Sequence, residues 1–362
     1  MTAKSTIRIG NNKSPVIISD NLLRDFKRWW QLKIGSHKIT PVIVLVDDNV
    51  GKLHQTLIGQ LLQSITVDVL VTKKITGGEK CKQFEFAGSI LSEWIDLSVT
   101  RDTVLICIGG GTLTDLGGFL SSVYKRGLRT VFLPTTLMAM TDASLGGKNA
   151  LNAGETKNQI GTINFPQFTM VYPMFLETLP AGELHSGYAE IMKHACLDSR
   201  NFIQKMLDFE NIESPPSLQL LSRSIRVKMN IVNKDPLEKQ MRMWLNLGHT
   251  FGHAYESFFA LAGQPVSHGH AVAIGLSETL FFSVKLTGFN QQLAEKITRW
   301  LKQKFTFDNI PGWQDIAASV LKDKKNTADG IRMVLLESPG KPLLKTLDVS
   351  ICQALHQEFI LQ

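Results

Sequence analysis

Ionisable side chains cluster in three short segments of the second half of the sequence. The first segment carries Glu190, Lys193 and His194 on one face of a predicted helix, because their spacing is i, i+3 and i+4. The second segment, 246–256, places two histidines one helical turn apart, and the third, 267–275, places two histidines just before another predicted helix. A carboxylate and histidines from separate helices are typical ligands of a catalytic zinc site with one open position.

The histidines of the second and third segments are His249, His253, His268 and His270, and Glu256 follows His253 by three residues. A single histidine is more often a hydrogen-bonded core or surface residue than a metal ligand, so only the combination supports a metal site. Two histidines at i and i+4 can bind zinc from one helix face, so spacing alone allows His249 and His253 to be ligands together. The residues by themselves leave that alternative open.

A glycine-rich turn follows a predicted strand in the first half of the chain. The strand is 103–108, and the turn and the helix after it are Gly109–Phe119, which begins with three glycines. Glycines let the backbone approach a phosphate, and the helix N-terminus supplies N–H donors. The spacing differs from the usual G-x-G-x-x-G dinucleotide motif, which argues against an ordinary dehydrogenase. A tight turn that binds no ligand is the alternative.

Further polar residues follow predicted strands or lie in glycine-rich loops. Asp47 ends the strand 41–46, and Glu79 follows two glycines, with Lys82 three residues later. A carboxylate beside a cation is suited to binding the diol of a ribose. The block 134–161 interleaves glycines and hydroxyls with lysines and an asparagine, which can donate hydrogen bonds to a phosphate or a polyol. Each feature alone could also be an ordinary solvated loop.

Two kinds of sequence pattern position these residues. Up to Leu179, short β-branched runs bounded by glycine predict a mainly parallel sheet buried on both faces. From Pro180 onward the periodicity is mostly helical. The strands are predicted at 41–46, 64–71, 103–108 and 130–133, and the helices at 183–197, 218–232, 245–261 and 271–286. We therefore predict a Rossmann-like α/β domain over 1–179 and an all-helical domain over 180–362.

Composition agrees with a two-domain globular protein. The chain has 362 residues, of which 43% are hydrophobic and 20% charged. The net charge of +7 comes from dispersed lysines and arginines, which favours anionic small molecules over nucleic acid. The sequence shows no apolar run of the ~20 residues that a membrane span needs and no apolar core of a signal peptide. Its four cysteines lie far apart without metal spacing, so we predict a reduced, cytoplasmic protein.

The motifs and their order resemble the sugar phosphate cyclase superfamily, and within it the 3-dehydroquinate synthase family. The resemblance runs from about Asp47 to Lys325 and is highly specific. It is carried by GGGTLTDLGGF, VYKRG, PTTLMAMTDASLGGK, KNQIG, TLPAGELHSGYAEIMKH, NLGHTFGHAYE, HGHAVAIG and the late DKK. It implies a dehydroquinate synthase-like fold and a lyase that uses NAD and a divalent metal, zinc or cobalt. The implied reaction converts a seven-carbon phosphorylated keto-acid into a carbocycle with loss of phosphate.

The resemblance also implies a role for individual residues. Metal binding is implied for Glu190, His249 and His268, whereas His253 contacts substrate and is not a ligand. Binding of NAD is implied for Asp47, Glu79, Lys82, Gly110, Gly111, Asp115, Thr135, Thr136, Asp142 and Lys157. Catalytic contacts are implied for Lys148, Asn158, Lys193 and His253, and other substrate contacts for Arg126, Lys228, Arg242, Asn246 and a lysine of DKK, taken as Lys324. The family's counterpart of Arg126 reaches the neighbouring subunit's site, which implies a homodimer.

Two departures from the family pattern bear on substrate and metal. His270 stands where the family usually has glutamate, and the stretch 150–156 differs from the commonest version of its loop. Another sugar phosphate cyclase, a glycerol-dehydrogenase-like oxidoreductase and a relative without turnover are the alternatives. Arg242 and Lys228 occupy the positions that contact a substrate carboxylate, which favours the dehydroquinate synthase reaction. No nucleic acid or membrane partner is expected.

Overall fold

The computed structural model describes residues 6–11, 13–35, 39–154, 156–322, 326 and 329–361. These residues pack as two units. The first unit contains the described residues up to Leu179 together with Ser217–Asn233, and the second contains Pro180–Pro216 and the described residues from Lys234 onward. The predicted division places Ser217–Asn233 in the second domain, but in the structure this segment packs with the first unit, where Lys228 bonds to Asp142.

Eleven strands lie within the described residues. They are β1 (Ile7–Ile9), β2 (Val16–Ile18), β3 (Thr40–Asp47), β4 (Val67–Ile75), β5 (Val104–Gly109), β6 (Arg129–Pro134), β7 (Lys148–Ala153), β8 (Thr156–Ile163), β9 (Phe168–Val171), β10 (Ile331–Ser338) and β11 (Lys341–Leu347). The four strands predicted in the first half correspond to β3, β4, β5 and β6.

The described residues also form thirteen α-helices and several shorter helices. The α-helices are α1 (Leu22–Lys33), α2 (Asp48–Leu53), α3 (Gln55–Gln63), α4 (Phe84–Asp96), α5 (Gly111–Val123), α6 (Ala181–Asp198), α7 (Arg200–Leu207), α8 (Leu218–Lys234), α9 (His249–Leu261), α10 (His268–Thr287), α11 (Gln291–Lys304), α12 (Trp313–Leu321) and α13 (Val349–Ile360). The short 3-10 helices are Glu79–Lys82, Tyr124–Arg126, Pro173–Thr178 and Met241–Asn246, and Ala139–Ala143 is a π-helix. None of the helices within the described ranges is long and apolar enough to cross a bilayer.

The first unit is built on a seven-stranded sheet. Its order is β1-β2-β9-β6-β5-β3-β4, and every neighbouring pair is parallel except β1 and β2. The central strands are buried along their whole length, as in β5, and this explains their continuous β-branched runs. Trp94 and Phe132 belong to the apolar core that packs on this sheet. The predicted α/β architecture of the first half is therefore confirmed.

The second unit is mostly helical, as predicted, but it is not all-helical. β10 and β11 form an antiparallel hairpin in which Ser338 pairs with Lys341 around a Pro339–Gly340 turn. The hairpin contributes apolar side chains, including Leu335, to the same core as α9 and α10. The hairpin therefore packs into the core formed by the helices and is not a separate sheet domain.

Glycines bring three helices of the second unit into close contact. A Cβ at Gly269 of α10 would lie 2.3 Å from the Cα of Ser186 on α6. A Cβ at Gly275 would lie 2.2 Å from the carbonyl oxygen of Gly248, just before α9. Because only glycine allows these approaches, α6, α9 and α10 are held together at the point where their ionisable side chains lie.

A fully buried polar group lies farther along α9 and α10. Glu278 accepts a hydrogen bond from the hydroxyl of Tyr255, and its Oε1 lies 2.8 Å from His356 Nδ1. His356 Nε2 lies 3.0 Å from the carbonyl oxygen of Pro311, so it donates there. Because Nε2 already carries a hydrogen, the contact between Nδ1 and Oε1 needs a further proton on one of these two atoms, so the pair holds a proton.

Candidate metal and cofactor sites

Three of the predicted metal ligands lie together in the second unit. The ligand atoms of Glu190 on α6, His249 on α9 and His268 on α10 all lie within 4.8 Å of one another. Each histidine Nε2 is 3.5 Å from Glu190 Oε1. Ligands bound to a tetrahedral zinc ion at ~2.1 Å are about 3.4 Å apart, so this spacing suits a shared ion.

The other nitrogen of each imidazole is held in a way that leaves Nε2 available. His249 Nδ1 lies 3.1 Å from the carbonyl oxygen of Leu247, which can only accept, so Nδ1 carries the hydrogen. His268 Nδ1 lies 3.2 Å from Glu256 Oε2. Outer partners of this kind orient metal-binding histidines and raise their basicity.

The candidate metal site brings negatively and positively charged side chains together in the protein interior. Lys193 is ion-paired with Glu190, and both side chains are almost fully buried. Burial, and secondarily the charge of Lys193, hold the pKa of His249 well below its usual range. Burial acts against a charged His268 as well, but the contacts with Glu190 and Glu256 outweigh it and raise the pKa of His268 to about 10. The two carboxylates therefore draw positive charge to this point.

Three other histidines of the predicted segments are not assigned as metal ligands. His253 is exposed, and its ring lies 5.2 Å from that of His249, edge-on. Neither of the two groups of three potential ligand atoms found among the described residues includes it. His194 is buried on α6. His270, which replaces the usual glutamate, packs edge-on against Phe305, and burial lowers its pKa.

Arg242 and Asn246 belong to the 3-10 helix before α9. Arg242 is only 2% exposed, and its Nη1 donates to the carbonyl oxygen of Pro236 at 2.6 Å. Asp235 accepts the N–H of Arg242 at 3.0 Å and thereby closes the loop that carries the guanidinium. Asn246 Nδ2 donates to the carbonyl oxygen of Met243 at 3.1 Å. Lys324 lies outside the described residues.

In the first unit, the predicted cofactor residues lie at the carboxyl edge of the sheet. Val46 of β3 pairs with Ile108 of β5, and Ile108 pairs with Leu133 of β6, so these strands end together. After β4 the chain crosses to the other side of β3 to form β5. Ligands of open α/β sheets bind at this type of switch point.

The start of α5 has the glycines that such a site needs. Gly110 is its N-cap and has no side chain with which to cap the helix. A Cβ at Gly111 would lie 2.8 Å from the Cβ of Ala143. At the end of β3, Asp47 Oδ1 accepts the N–H groups of Asn49 and Val50. A phosphate at the helix N-terminus and a ribose near the carboxylate are consistent with this arrangement.

A polar network extends from α5 to the β7–β8 hairpin. Lys82 is buried and donates to Asp115 Oδ2 at 2.6 Å and to Asn158 Oδ1. Burial raises the pKa of Asp115, and the ion pair with Lys82 opposes that effect. Lys157 Nζ lies 3.8 Å from Glu79 Oε1. The structure thus brings the predicted substrate contact Asn158 among the predicted NAD contacts.

The remaining predicted residues of the first unit lie around this edge. Lys228 of α8 donates to Asp142 Oδ1 at 2.8 Å and to its carbonyl oxygen at 2.6 Å. Thr135 donates its N–H to Gly109, and Thr136 Oγ1 accepts the N–H of Ala139 at 3.1 Å. Lys148 is exposed at the start of β7, and Arg126 has a positive φ of 66°.

Glu256 and Asn152 contact predicted site residues, although the sequence predicted no role for either. Glu256 is one helical turn after His253, and the i, i+3 spacing was a signal that it shares that face of α9. Asn152 is 3% exposed and bonds Glu79 Oε2 at 2.7 Å, in a contact that spans 73 positions of sequence. No local pattern could reveal such a contact.

Known proteins resemble the chain over nearly its whole length. Residues 72–186 match the family described as 3-dehydroquinate synthase N-terminal, and residues 187–326 match 3-dehydroquinate synthase C-terminal. The 3-dehydroquinate synthase of Listeria monocytogenes serotype 4b is 35% identical over 354 residues, which cover 94% of this chain and 93% of that protein.

Solved structures share the fold at lower identity. A 2-deoxy-scyllo-inosose synthase complexed with carbaglucose-6-phosphate, NAD+ and Co2+ has a TM-score of 0.82 at 22% identity, with 98% of this chain and 99% of that chain covered. ValA, a 2-epi-5-epi-valiolone synthase from Streptomyces hygroscopicus with NAD+ and Zn2+ bound, has a TM-score of 0.79 at 22% identity, with 98% and 97% covered. These likenesses establish the two-part fold.

Proposed function

Because the chain belongs to the 3-dehydroquinate synthase family, we propose that it converts 3-deoxy-D-arabino-heptulosonate 7-phosphate into 3-dehydroquinate and phosphate. This phosphorus–oxygen lyase reaction serves the shikimate pathway of aromatic amino acid biosynthesis. The observation that carries the proposal is the convergence of Glu190, His249 and His268, with Lys193 against the same carboxylate.

A divalent metal fits the donor set of the second unit. One carboxylate and two imidazoles suit zinc, and cobalt accepts the same ligands. Glu190, His249 and His268 would hold the ion, and Glu256 orients His268 through Nδ1. The ion would lower the pKa of a substrate alcohol and polarise the ketone derived from it. The ammonium of Lys193 beside Glu190 provides a donor for a substrate oxygen at the same place.

A nicotinamide cofactor fits the carboxyl edge of the first unit. NAD held there would supply reversible hydride transfer with one secondary alcohol of the substrate. The N–H groups at Gly110 and Gly111 serve the pyrophosphate, and the carboxylates of Asp47 and Glu79 accept from ribose hydroxyls. The other residues assigned to this cofactor are Lys82, Asp115, Thr135, Thr136, Asp142 and Lys157.

Phosphate departure needs positioning more than an additional base. Once the alcohol is a ketone, the neighbouring C–H is acidic. The substrate's own phosphate group can take that proton while the bond between the substrate carbon and the phosphate ester oxygen breaks, so that phosphate leaves. We assign Lys148, Asn158 and Lys193 to hold the phosphate in this geometry, and His253 to contact the substrate. These residues act by orientation and charge.

The substrate carboxylate separates this reaction from those of other sugar phosphate cyclases. Arg242 has the planar fork that matches a carboxylate, and its backbone and Nη1 are held by Asp235 and Pro236. We assign both Arg242 and Lys228 as carboxylate contacts, and Lys228 is also bonded to Asp142. Asn246 and Lys324 are assigned as supporting contacts.

We assign the active form as a homodimer in which Arg126 reaches the partner's site. Lys125 and Arg126 have consecutive positive φ values of 46° and 66°. Such backbone strain in residues other than glycine is concentrated at functional sites. Val123 and Ile163 expose apolar side chains, at 39% and 43%. Strain and exposed apolar surface in this region support a subunit contact there.

The direct test is product formation from defined sugar phosphates. Purified protein with NAD and zinc should release phosphate from 3-deoxy-D-arabino-heptulosonate 7-phosphate and form 3-dehydroquinate, identified by its mass and by its conversion with a dehydratase. Glucose 6-phosphate and sedoheptulose 7-phosphate, which have no carboxylate, serve as controls. Phosphate release from a control and none from the keto-acid would assign the chain to another sugar phosphate cyclase.

A further inference from the structure

Asn152 is a buried residue of the β7–β8 hairpin that the proposed catalytic scheme does not use. It is 3% exposed, and it lies where the register of the hairpin shifts between Leu151 and Ala153. Leu151 pairs with Ile160, and Ala153 pairs with Thr156. Three residues of β8, 157–159, therefore lie opposite the single residue Asn152, and this irregularity of the pairing is a β-bulge. Bulges re-aim side chains and are common next to active sites.

The side-chain amide of Asn152 is bonded at both ends. Its Oδ1 accepts the N–H of Asn158 at 3.0 Å, and so supplies an acceptor for a backbone group within the bulge. Its Nδ2 donates to Glu79 Oε2 at 2.7 Å. A backbone N–H requires an acceptor and a carboxylate requires a donor, so the two partners fix the orientation of the amide.

The bulge directs its residues toward the cofactor cluster. Asn158 has a positive φ of 56°, and its Oδ1 accepts from Lys82. Lys157, the preceding residue, extends to within 3.8 Å of Glu79. Glu79 itself is half exposed, with 47% of its side chain accessible, so the bond from Asn152 orders a carboxylate that otherwise faces solvent.

We infer that Asn152 is a positioning residue that sets Glu79 for the cofactor ribose and the bulge for the substrate phosphate through one amide. This inference rests on the proposed function, because it takes Glu79 as a cofactor contact and Asn158 as a substrate contact. One side chain then fixes the distance between the two groups that hold the reacting partners.

Asn152→Asp tests the inference because it removes only the hydrogen bond from Asn152 Nδ2 to Glu79. A carboxylate still accepts the N–H of Asn158, so the bulge and the fold are retained, but it faces the carboxylate of Glu79. The Kd of NAD, measured by titration calorimetry on the full-length zinc-loaded protein, should rise about tenfold. The KM for NAD should rise with it, and the melting temperature should stay close to that of the wild type.

A double-mutant cycle separates positioning from general electrostatics. In a Glu79→Gln background the new amide can donate to the introduced carboxylate, so Asn152→Asp should raise the Kd of NAD less than it does beside Glu79. Gln159→Glu, an amide-to-acid change in the same bulge, is the control for added negative charge. It also removes the exposed bond from Gln159 Nε2 to the carbonyl oxygen of Lys157 at 3.2 Å, so it controls for both changes together, and it should leave the Kd nearly unchanged. Asn152→Ser, which is too short to reach Glu79 and adds no charge, should also weaken NAD binding.

The outcomes distinguish this inference from the proposed function. A wild-type protein that binds no NAD would overturn both. Wild-type binding together with an unchanged Kd in Asn152→Asp and Asn152→Ser would overturn the inference alone. An equal loss of affinity with glutamate or glutamine at position 79 would also overturn it, because the effect would then not pass through Glu79.

Discussion

Replacing Glu256 should weaken metal binding although it is not assigned as a ligand. Glu256→Gln keeps the size of the side chain and an acceptor for His268 Nδ1, but removes the negative charge that faces that nitrogen at 3.2 Å. Hydrogen bonds to charged groups contribute about 1.5–3 kcal/mol, and the long distance and the 33% exposure of the His268 side chain favour the lower end. Since ~1.4 kcal/mol corresponds to about tenfold, the metal Kd should rise about tenfold.

The assay is a titration of the metal-free protein with Co2+, followed by its visible absorption. Glu256→Ala, which removes the acceptor as well, should weaken binding more than Glu256→Gln. Glu295→Gln, an exposed change of the same chemistry in the second unit, should bind as the wild type does. A Co2+ affinity that is unchanged in both Glu256 variants would refute the reasoning, because His268 would then need no partner to bind the ion.

Three further predictions concern the substrate, the subunits and pH. Arg242→Lys should lower kcat/KM by about ten- to a hundredfold, since an ammonium cannot reproduce the planar fork; an unchanged value would favour another cyclase. Inactive Arg126→Ala and Lys148→Ala subunits, mixed under exchange, should recover activity toward about a quarter of wild type if sites are shared, and none if they are not. Burial raises the pKa of Glu278. Burial opposes charging of His356, but the bond to Glu278 outweighs it and raises the pKa of His356. Folding therefore takes up protons, and the free energy of unfolding should fall as the pH rises, from about 4.3 upward for Glu278 and from about 6.5 upward for His356. Denaturant titrations of Glu278→Gln should lack this slope.

Helical periodicity and motif spacing predicted the elements of the candidate metal site, but not its geometry. The predicted helices correspond to α6, α9 and α10, although the segment 245–248 lies outside α9. Convergence depends on Gly269 against Ser186 and on Gly275 against Gly248, which are contacts between distant parts of the chain. Spacing alone left the choice between His249 and His253 open, and only the family resemblance implied His249; in the structure His253 is exposed.

Some strands and long-range contacts of the structure could not be predicted from the local sequence. β1, β2 and β9 are three or four residues long, too short to show a period. The β10–β11 hairpin did have a signal, because two β-rich runs flank Pro339–Gly340. The packing of Ser217–Asn233 with the first unit could not be predicted, since its helical pattern is the same in either unit. The bond of Asn152 to Glu79 is equally invisible, as it depends on a bulge.

The central claim is that Glu190, His249 and His268 hold the metal of a cyclase, with His253 outside the ligand set. The most direct test is the metal content of purified His249→Ala and His253→Ala by elemental analysis, after loading with zinc and removal of the excess. The account predicts that His249→Ala loses most of its metal, whereas His253→Ala keeps the wild-type amount and loses activity. Equal metal content in His249→Ala and the wild type, or loss of metal in His253→Ala, would contradict it.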